Sequence, residues 1–351
     1  MFTDAAQSLS PPVLFHSHAD EQTFDEVFDK VTSQADLALP DQELPLSRLR
    51  ATTDGFIEVP GAGNLSLTEW SRRQLATLLG IRWDRWFASD IVVPADRAEE
   101  INRRLRRLGG DWQIRSRRWA AGEPAASDGV LRAFVGPGYA PIDDLRVFET
   151  LQRVLPTQLD EFRFVRLDLT PQSSQYAVVS LVEVDLGIRG PDRHRNGFLI
   201  ANSEVGARSL SIVTWIWRLV CTNGMVAAAS QLFRMIHRRR KAESIDGRIA
   251  EAFKLLPEKW ERAASTLRRA RQDTVEDPGA ILEVLLETNP QLRPMSRAVY
   301  EAFEKDPEPN RFGIVQAFTR AAQRFTPERR LMLEEFAGDV AARVMSPEVS
   351  F

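Results

Sequence analysis

The fold is decided by Gly197-Phe-Leu-Ile-Ala-Asn-Ser-Glu-Val-Gly206 and its continuation Ala207-Arg-Ser-Leu-Ser-Ile-Val-Thr-Trp-Ile-Trp-Arg-Leu-Val220, the most apolar run in the chain. Two β-branched and aromatic runs, Phe198 to Ser203 and Leu210 to Val220, flank the turn-prone Glu204-Val205-Gly206-Ala207. That pattern predicts a hairpin of buried strands. Thr222-Asn223-Gly224 is expected to stop the second strand and start an alanine-rich helix, which ends in His237-Arg238-Arg239-Arg240-Lys241.

Working outward, Phe162 to Leu169 and Tyr176 to Leu186 read as paired strands around Thr170-Pro171-Gln172-Ser173-Ser174. The connections are short enough for antiparallel neighbours. Upstream, Trp112 to Trp119 and Val130 to Val135 read as strands, and Asp143 to Leu155 as a helix with acids at its N-terminus. Helices are expected over Leu67 to Leu79, capped from Ser66-Leu67-Thr68-Glu69 and ended by Gly80, over Trp83 to Ala88, and over Asp96 to Gly109. Downstream the periodicity predicts helices over Ile249 to Leu256, Pro257 to Arg271, Ala280 to Leu286, Phe312 to Arg324 and Pro327 to Met345.

The fold class expected is therefore α+β: a central antiparallel sheet with a strand-strand-strand-helix core, flanking helices and a helical C-terminal region. Residues 1–60 read as an acidic N-terminal arm, extended or partly disordered apart from a short helix around Asp20 to Gln34. Residues 61–245 form a basic core and 246–351 the helical region.

Charge divides the chain in the same way. Residues 1–60 carry 3 basic and 11 acidic side chains, net −8, while 61–272 are net +10 and 273–351 net −5. A basic body between acidic ends suits polyanion binding. The 41 arginines against 5 lysines are also what genome base composition alone can produce. With one cysteine, Cys221, the chain can build neither a disulfide framework nor a cysteine metal site. No run of 18 apolar residues and no basic-then-apolar leader is present, which points to a soluble cytoplasmic protein without a membrane partner.

No phosphate loop, zinc-protease helix, nucleophile elbow or dinucleotide fingerprint occurs, and nothing in the sequence calls for a cofactor. Two constellations stand out. The cationic one comprises Arg238, Arg239, Arg240 and Lys241, the loop residues Arg189, Arg193 and Arg195, and Arg115, Arg117 and Arg118. Arginine donates paired hydrogen bonds to phosphate, although one or two cations at a helix C-terminus also complement its dipole. The acidic one is Asp168, Glu183 and Asp185, hard oxygen donors suited to Mg²⁺ and hence to a metal-dependent nuclease; ordinary exposed carboxylates on a sheet are the alternative. Even spacing places Asp168 on the strand face of Phe162 and Phe164. Trp215 and Trp217 can stack on bases, but in an apolar strand their main role is expected to be in the core.

Asn202-Ser203-Glu204-x-Gly206-x-Arg208-Ser209-Leu210-Ser211, followed by Arg218-Leu219-Val220-Cys221-Thr222-Asn223-Gly224-Met225, resembles the signature of a phage- and plasmid-encoded family of unknown function. Leu131-Arg132-Ala133-Phe134 with Tyr139-x-Pro141-Ile142-Asp143-Asp144 is similar to its upstream motif. The likeness spans roughly residues 65 to 340. Within the motif, which also includes Arg218 and Gly224, Asn202, Ser203, Arg208, Thr222 and Asn223 are expected to organise the loops or contact a ligand. The strand-strand-strand-helix centre also resembles, in topology, phage single-strand annealing proteins. The function expected is non-enzymatic binding of single-stranded DNA, extending to annealing through homo-oligomers. A metal-dependent nuclease and a scaffold that binds host or phage proteins are the alternatives.

Overall fold

The computed structural model describes residues 15–82, 92–120, 123, 127–157, 159, 161–184, 193–218, 223–238 and 245–343, without the side chains of 15–20 and 223–230. Two six-stranded sheets organise it. The larger is a fully antiparallel meander in the order β1 (Phe15–Gln22), β8 (Phe162–Leu169), β9 (Ser174–Val184), β10 (His194–Asn202), β11 (Leu210–Arg218) and β12 (Asn223–Met235). The expected hairpin is its centre: Phe198 faces Thr214 and Ala201 faces Ser211 across β10 and β11. Gly206 turns it with φ 77°, a conformation that a side chain would strain. At Gly197 a Cβ would lie 2.2 Å from the Val178 carbonyl oxygen, so only glycine fits that register shift.

The two faces of the meander are both covered, which explains why its strands read as continuous apolar runs. On one face Phe164, Tyr176, Phe198 and Ile200 pack with Phe148 and Phe253 beneath helices α1 (Phe24–Ala35), α4 (Asp144–Val154) and α5 (Ile245–Lys254). On the other, Val165, Ala177, Leu199, Trp215 and Trp217 meet Leu331 of the last helix, α10 (Pro327–Ala342). Trp215 is fully buried beneath the Arg166 guanidinium, 5.5 Å from its ring centroid, so both tryptophans serve the core.

The helix expected after Thr222-Asn223-Gly224 is instead strand β12, which pairs with β11 from Asn223 opposite Arg218 to Met235 opposite Leu210. Its alanines have high helix propensity, but the ladder supplied by β11 outweighs a local preference worth only tenths of a kcal/mol per residue. The core is thus five consecutive antiparallel strands, and the helices follow it.

The second sheet has the order β2 (Gln42–Pro45), β6 (Asp111–Arg117), β7 (Gly129–Val135), β5 (Gly63–Leu67), β4 (Ile57–Val59) and β3 (Arg50–Ala51). Helices α2 (Glu69–Leu79) and α3 (Pro94–Leu105) bury Leu75, Leu79, Ile101 and Leu105 in its core. Thr68, rather than Ser66, caps α2 by accepting from the Ser71 amide, and Gly80 ends it in the left-handed region. From residue 15 the segment expected as an arm contributes β1 to one sheet, β2, β3 and β4 to the other, and α1 with a full Thr23–Glu26 capping box. β1 and β2 rely on distant partners, β8 and β6, and β3 and β4 are only two and three residues long, too short for a period to show.

The C-terminal part is helical, as expected: α6 (Leu256–Gln272), α7 (Pro278–Glu287), α8 (Ser296–Lys305), α9 (Arg311–Ala322) and α10 enclose one apolar core. Helix α8 had no counterpart among the expected elements. Among the described residues no helix is long and apolar enough to cross a membrane.

Candidate functional site

The β10–β11 turn does more than reverse the chain: it plugs into the seam between the two sheets. Trp70 Nε1 of α2 donates to the Val205 carbonyl at 3.1 Å, and Ser203 Oγ accepts from the amides of Val205 and Ala207. Glu204 then ties the turn to the second sheet and to α4. Its carboxylate accepts from Arg132 of β7 at 2.8 Å and from the Asp144 amide, in the first turn of α4, at 3.0 Å. Its carbonyl accepts from the Arg115 guanidinium and from the Tyr139 hydroxyl.

Asp144 is the second acid of this cluster, and its partners are neutral. Tyr176 Oη donates to it at 2.8 Å and Asn202 Nδ2 at 2.7 Å, while the same Asn202 amide also holds the Ile142 carbonyl. Arg115 is shared by Asp143, at 2.8 Å, and Asp41, at 3.1 Å. The seam therefore sets two guanidiniums, Arg115 and Arg132, against four carboxyls, Asp41, Asp143, Asp144 and Glu204.

The shortage of positive charge decides which acid keeps its proton. Burial, with the Glu204 charge beside it, pushes the Asp144 carboxyl up to about 7. Burial also works against the Glu204 charge, but Arg132 and the Asp144 amide outweigh it and hold that carboxyl below its usual range. Burial raises Asp41 despite Arg115. At neutral pH Glu204 is the resident anion and Asp144 exchanges a proton. The Tyr176 hydroxyl, fully buried against Asp144, is held well above its ordinary value and acts only as a donor.

A cleft of about 40 Å³ opens onto this pair, with room for roughly three waters. Asp144, Tyr176, Glu204 and Arg132 line it from the seam, and Arg117 from the end of β6. Gln34 of α1 and Thr170, Gln172 and Ser173 of the β8–β9 turn also line it.

Several motif residues meet here. Asn202, Ser203 and Glu204 build the cluster, and Arg208 lies half-buried in the same turn. Asn223 and Gly224 pair with Arg218 and Trp217 at the far end of β11, where Arg218 donates to Gln316 of α9 at 2.9 Å. Thr222 lies outside the described residues. Arg132, Asp144, Tyr176 and Glu204 are site residues that the sequence did not single out. Three of them sit within the quoted motifs; nothing local marks Tyr176.

Among the described residues, the cationic candidates do not form one surface. Arg239, Arg240, Lys241 and Arg189 lie outside the described residues. Arg115 and Arg117, expected to face a ligand, are buried: Arg115 serves the seam, and Arg117 pairs with Glu123 at 2.7 Å. A strand face that looks basic in sequence is thus neutralised by acids brought from elsewhere. Arg193 pairs with Glu183, and Arg195 with Glu21 at 2.7 Å. Arg118 and Arg238 are exposed.

The acidic candidates are also dispersed. A bulge at Val165 breaks the parity of β8, so Asp168 faces α10 rather than sharing a face with Phe164. There it is fully buried, paired with Arg330 at 3.0 Å, beside the bidentate Arg166–Glu334 pair at 2.6 and 2.9 Å. Asp168 is opposite Gln175, eight residues along β9 from Glu183, a separation of roughly 25 Å. One ion cannot bridge the two. Asp185 lies outside the described residues, and among the described residues no three His, Cys, Asp or Glu side chains converge as metal ligands.

These features define an α+β protein whose central turn clamps two sheets around a polar cleft. By sequence, residues 133–337, more than half of the chain, match a family model described as a domain of unknown function, DUF932, and the chain belongs to that family. No curated protein and no solved structure matches it.

Proposed function

We propose that the chain binds single-stranded nucleic acid at the end of the meander sheet where β12 leaves β11. The observation that carries this reading is an exposed Arg234-x-Ile236-x-Arg238 stripe, alternating with buried Met235 and His237. Among the described residues neither arginine of the stripe makes an ion pair, unlike Arg115, Arg117, Arg193 and Arg195. Burial lowers the Arg208 guanidinium, the nearby Glu335 and Glu328 oppose that lowering, and Arg234 adds a smaller one; Arg234 Nε donates to Ser209 at 3.1 Å. Arg239, Arg240 and Lys241 follow directly in sequence and extend the run of positive charge. Annealing by homo-oligomers, and an origin on a phage or plasmid, extend this proposal.

The test is titration of a labelled oligonucleotide across a salt series. Steep salt dependence is expected. Arg234→Ala and Arg238→Ala should each lower the logarithmic slope by about 1, because each removes one cation from the phosphate backbone. Salt-independent affinity, or no binding at low salt, overturns the reading. Light scattering with and without the strand tests assembly.

A further inference from the structure

We propose that Asp144 is a proton-operated latch on the 203–209 turn: protonated, it lets Glu204 seat the turn in the seam, and ionised, it loosens the turn that carries Arg208. The control of nucleic-acid affinity drawn from it rests on the binding reading above; the latch itself does not.

The geometry is that of an interface short of positive charge. The elements packed around Asp144 contribute Glu204 from the turn, Arg132 from β7, Arg115 from β6, Asp143 from the start of its own helix, Asp41 from the chain before β2 and Tyr176 from β9. Arg117 lines the cleft opposite, already paired with Glu123. Both guanidiniums of the cluster are engaged, Arg132 by Glu204 and Arg115 by Asp41 and Asp143, so no cation is left for Asp144. A second negative charge therefore appears beside Glu204 whenever the proton leaves. The cleft gives that proton a path to solvent.

The turn is built to respond. Its inward grip joins one apolar anchor, Val205 fully buried against Ala133 and Val135, to a set of polar contacts: the Glu204 carboxylate and carbonyl, the Ser203 hydroxyl and the Val205 carbonyl under Trp70. Its outward side carries Arg208 and Ser209, the latter bonded to Arg234. Release of Glu204 would free the same few residues that hold the arginines together. His237 is the other titratable group near the turn; it stacks on Tyr139 at 5.3 Å, and burial lowers it further from charging.

Hydrogen exchange of the full-length chain tests the latch without any ligand. Protection factors for the Val205, Gly206 and Ala207 amides are measured from pH 5 to 8, corrected for the intrinsic rate. With the Asp144 carboxyl near 7 in the closed turn and near 4 when released, opening should rise roughly tenfold per pH unit between about 5 and 7 and then level off. In Asp144→Asn the rise should vanish; in His237→Gln it should persist. A flat profile in the parent, an unchanged profile in Asp144→Asn, or an equal rise at the Phe198 and Ile212 core amides would each overturn the latch. Oligonucleotide affinity at constant ionic strength is read in parallel and should weaken with pH in the parent but not in Asp144→Asn. Turn opening without any oligonucleotide binding would overturn the nucleic-acid reading and leave the latch standing.

Discussion

Two clusters of buried charge among the described residues differ in arithmetic. Under α10, Arg166 and Arg330 face Asp168 and Glu334, two cations for two anions, all at most 3% exposed. At the seam, Arg115 and Arg132 face four carboxyls beside an open cleft. The balanced set fastens a helix to a sheet, with Gln175 adding a bond to the Pro327 carbonyl at 2.9 Å. The unbalanced set retains an acid that titrates near neutrality. Buried charge alone therefore does not mark a functional site; a mismatch that solvent can reach is the better sign.

Breaking the balanced cluster should have the largest effect. Glu334→Ala leaves two buried cations, Arg166 and Arg330, against Asp168 alone, and a loss of about 3–5 kcal/mol is expected in denaturant unfolding. A loss under about 1 kcal/mol would show that water reaches the cluster. At the seam, Glu204→Gln keeps the shape but weakens the bond from Arg132. About 1–3 kcal/mol is expected there, with retained secondary structure by circular dichroism.

Changing pH tests the unbalanced cluster through Asp144. A carboxyl raised in the folded state binds its proton more tightly there than in the unfolded chain. Asp144 thus contributes stability at low pH that is lost as pH rises from about 4, its ordinary value, to about 7. Asp144→Asn should flatten that part of the stability profile. The smallest effect belongs to the stripe: Arg234→Ala and Arg238→Ala should leave the melting temperature nearly unchanged, within about 0.5 kcal/mol of stability. A large loss would make those arginines structural and remove them from the proposed interface.

Much of the fold was legible, and the failures share a cause. The β10–β11 hairpin, α4 and most C-terminal helices follow from periodicity and turn chemistry, because these act over a few residues. Strand β12 misled because Thr222-Asn223-Gly224 and the alanines are sound local signals for a helix, overruled by a neighbouring strand. Asp168 misled because a one-residue bulge at Val165 changes the face of everything after it. Arg115 and Arg117 looked like a basic face because Asp41 and Asp143 reach Arg115 from separate parts of the chain, and Glu123 reaches Arg117 from the loop beyond its strand.

By itself, the sequence determined the antiparallel centre, the helical C-terminal region, the glycines that its turn and bulge require, and the motif that fills the seam. Only the tertiary structure decided which charges face solvent, which are cancelled, and that Asp144 and Glu204, 60 residues apart, share one pocket. The reason is one of range. Hydrophobic period and turn geometry are set by neighbours in the chain, whereas the state of a charge depends on every group that folding brings within a few ångströms.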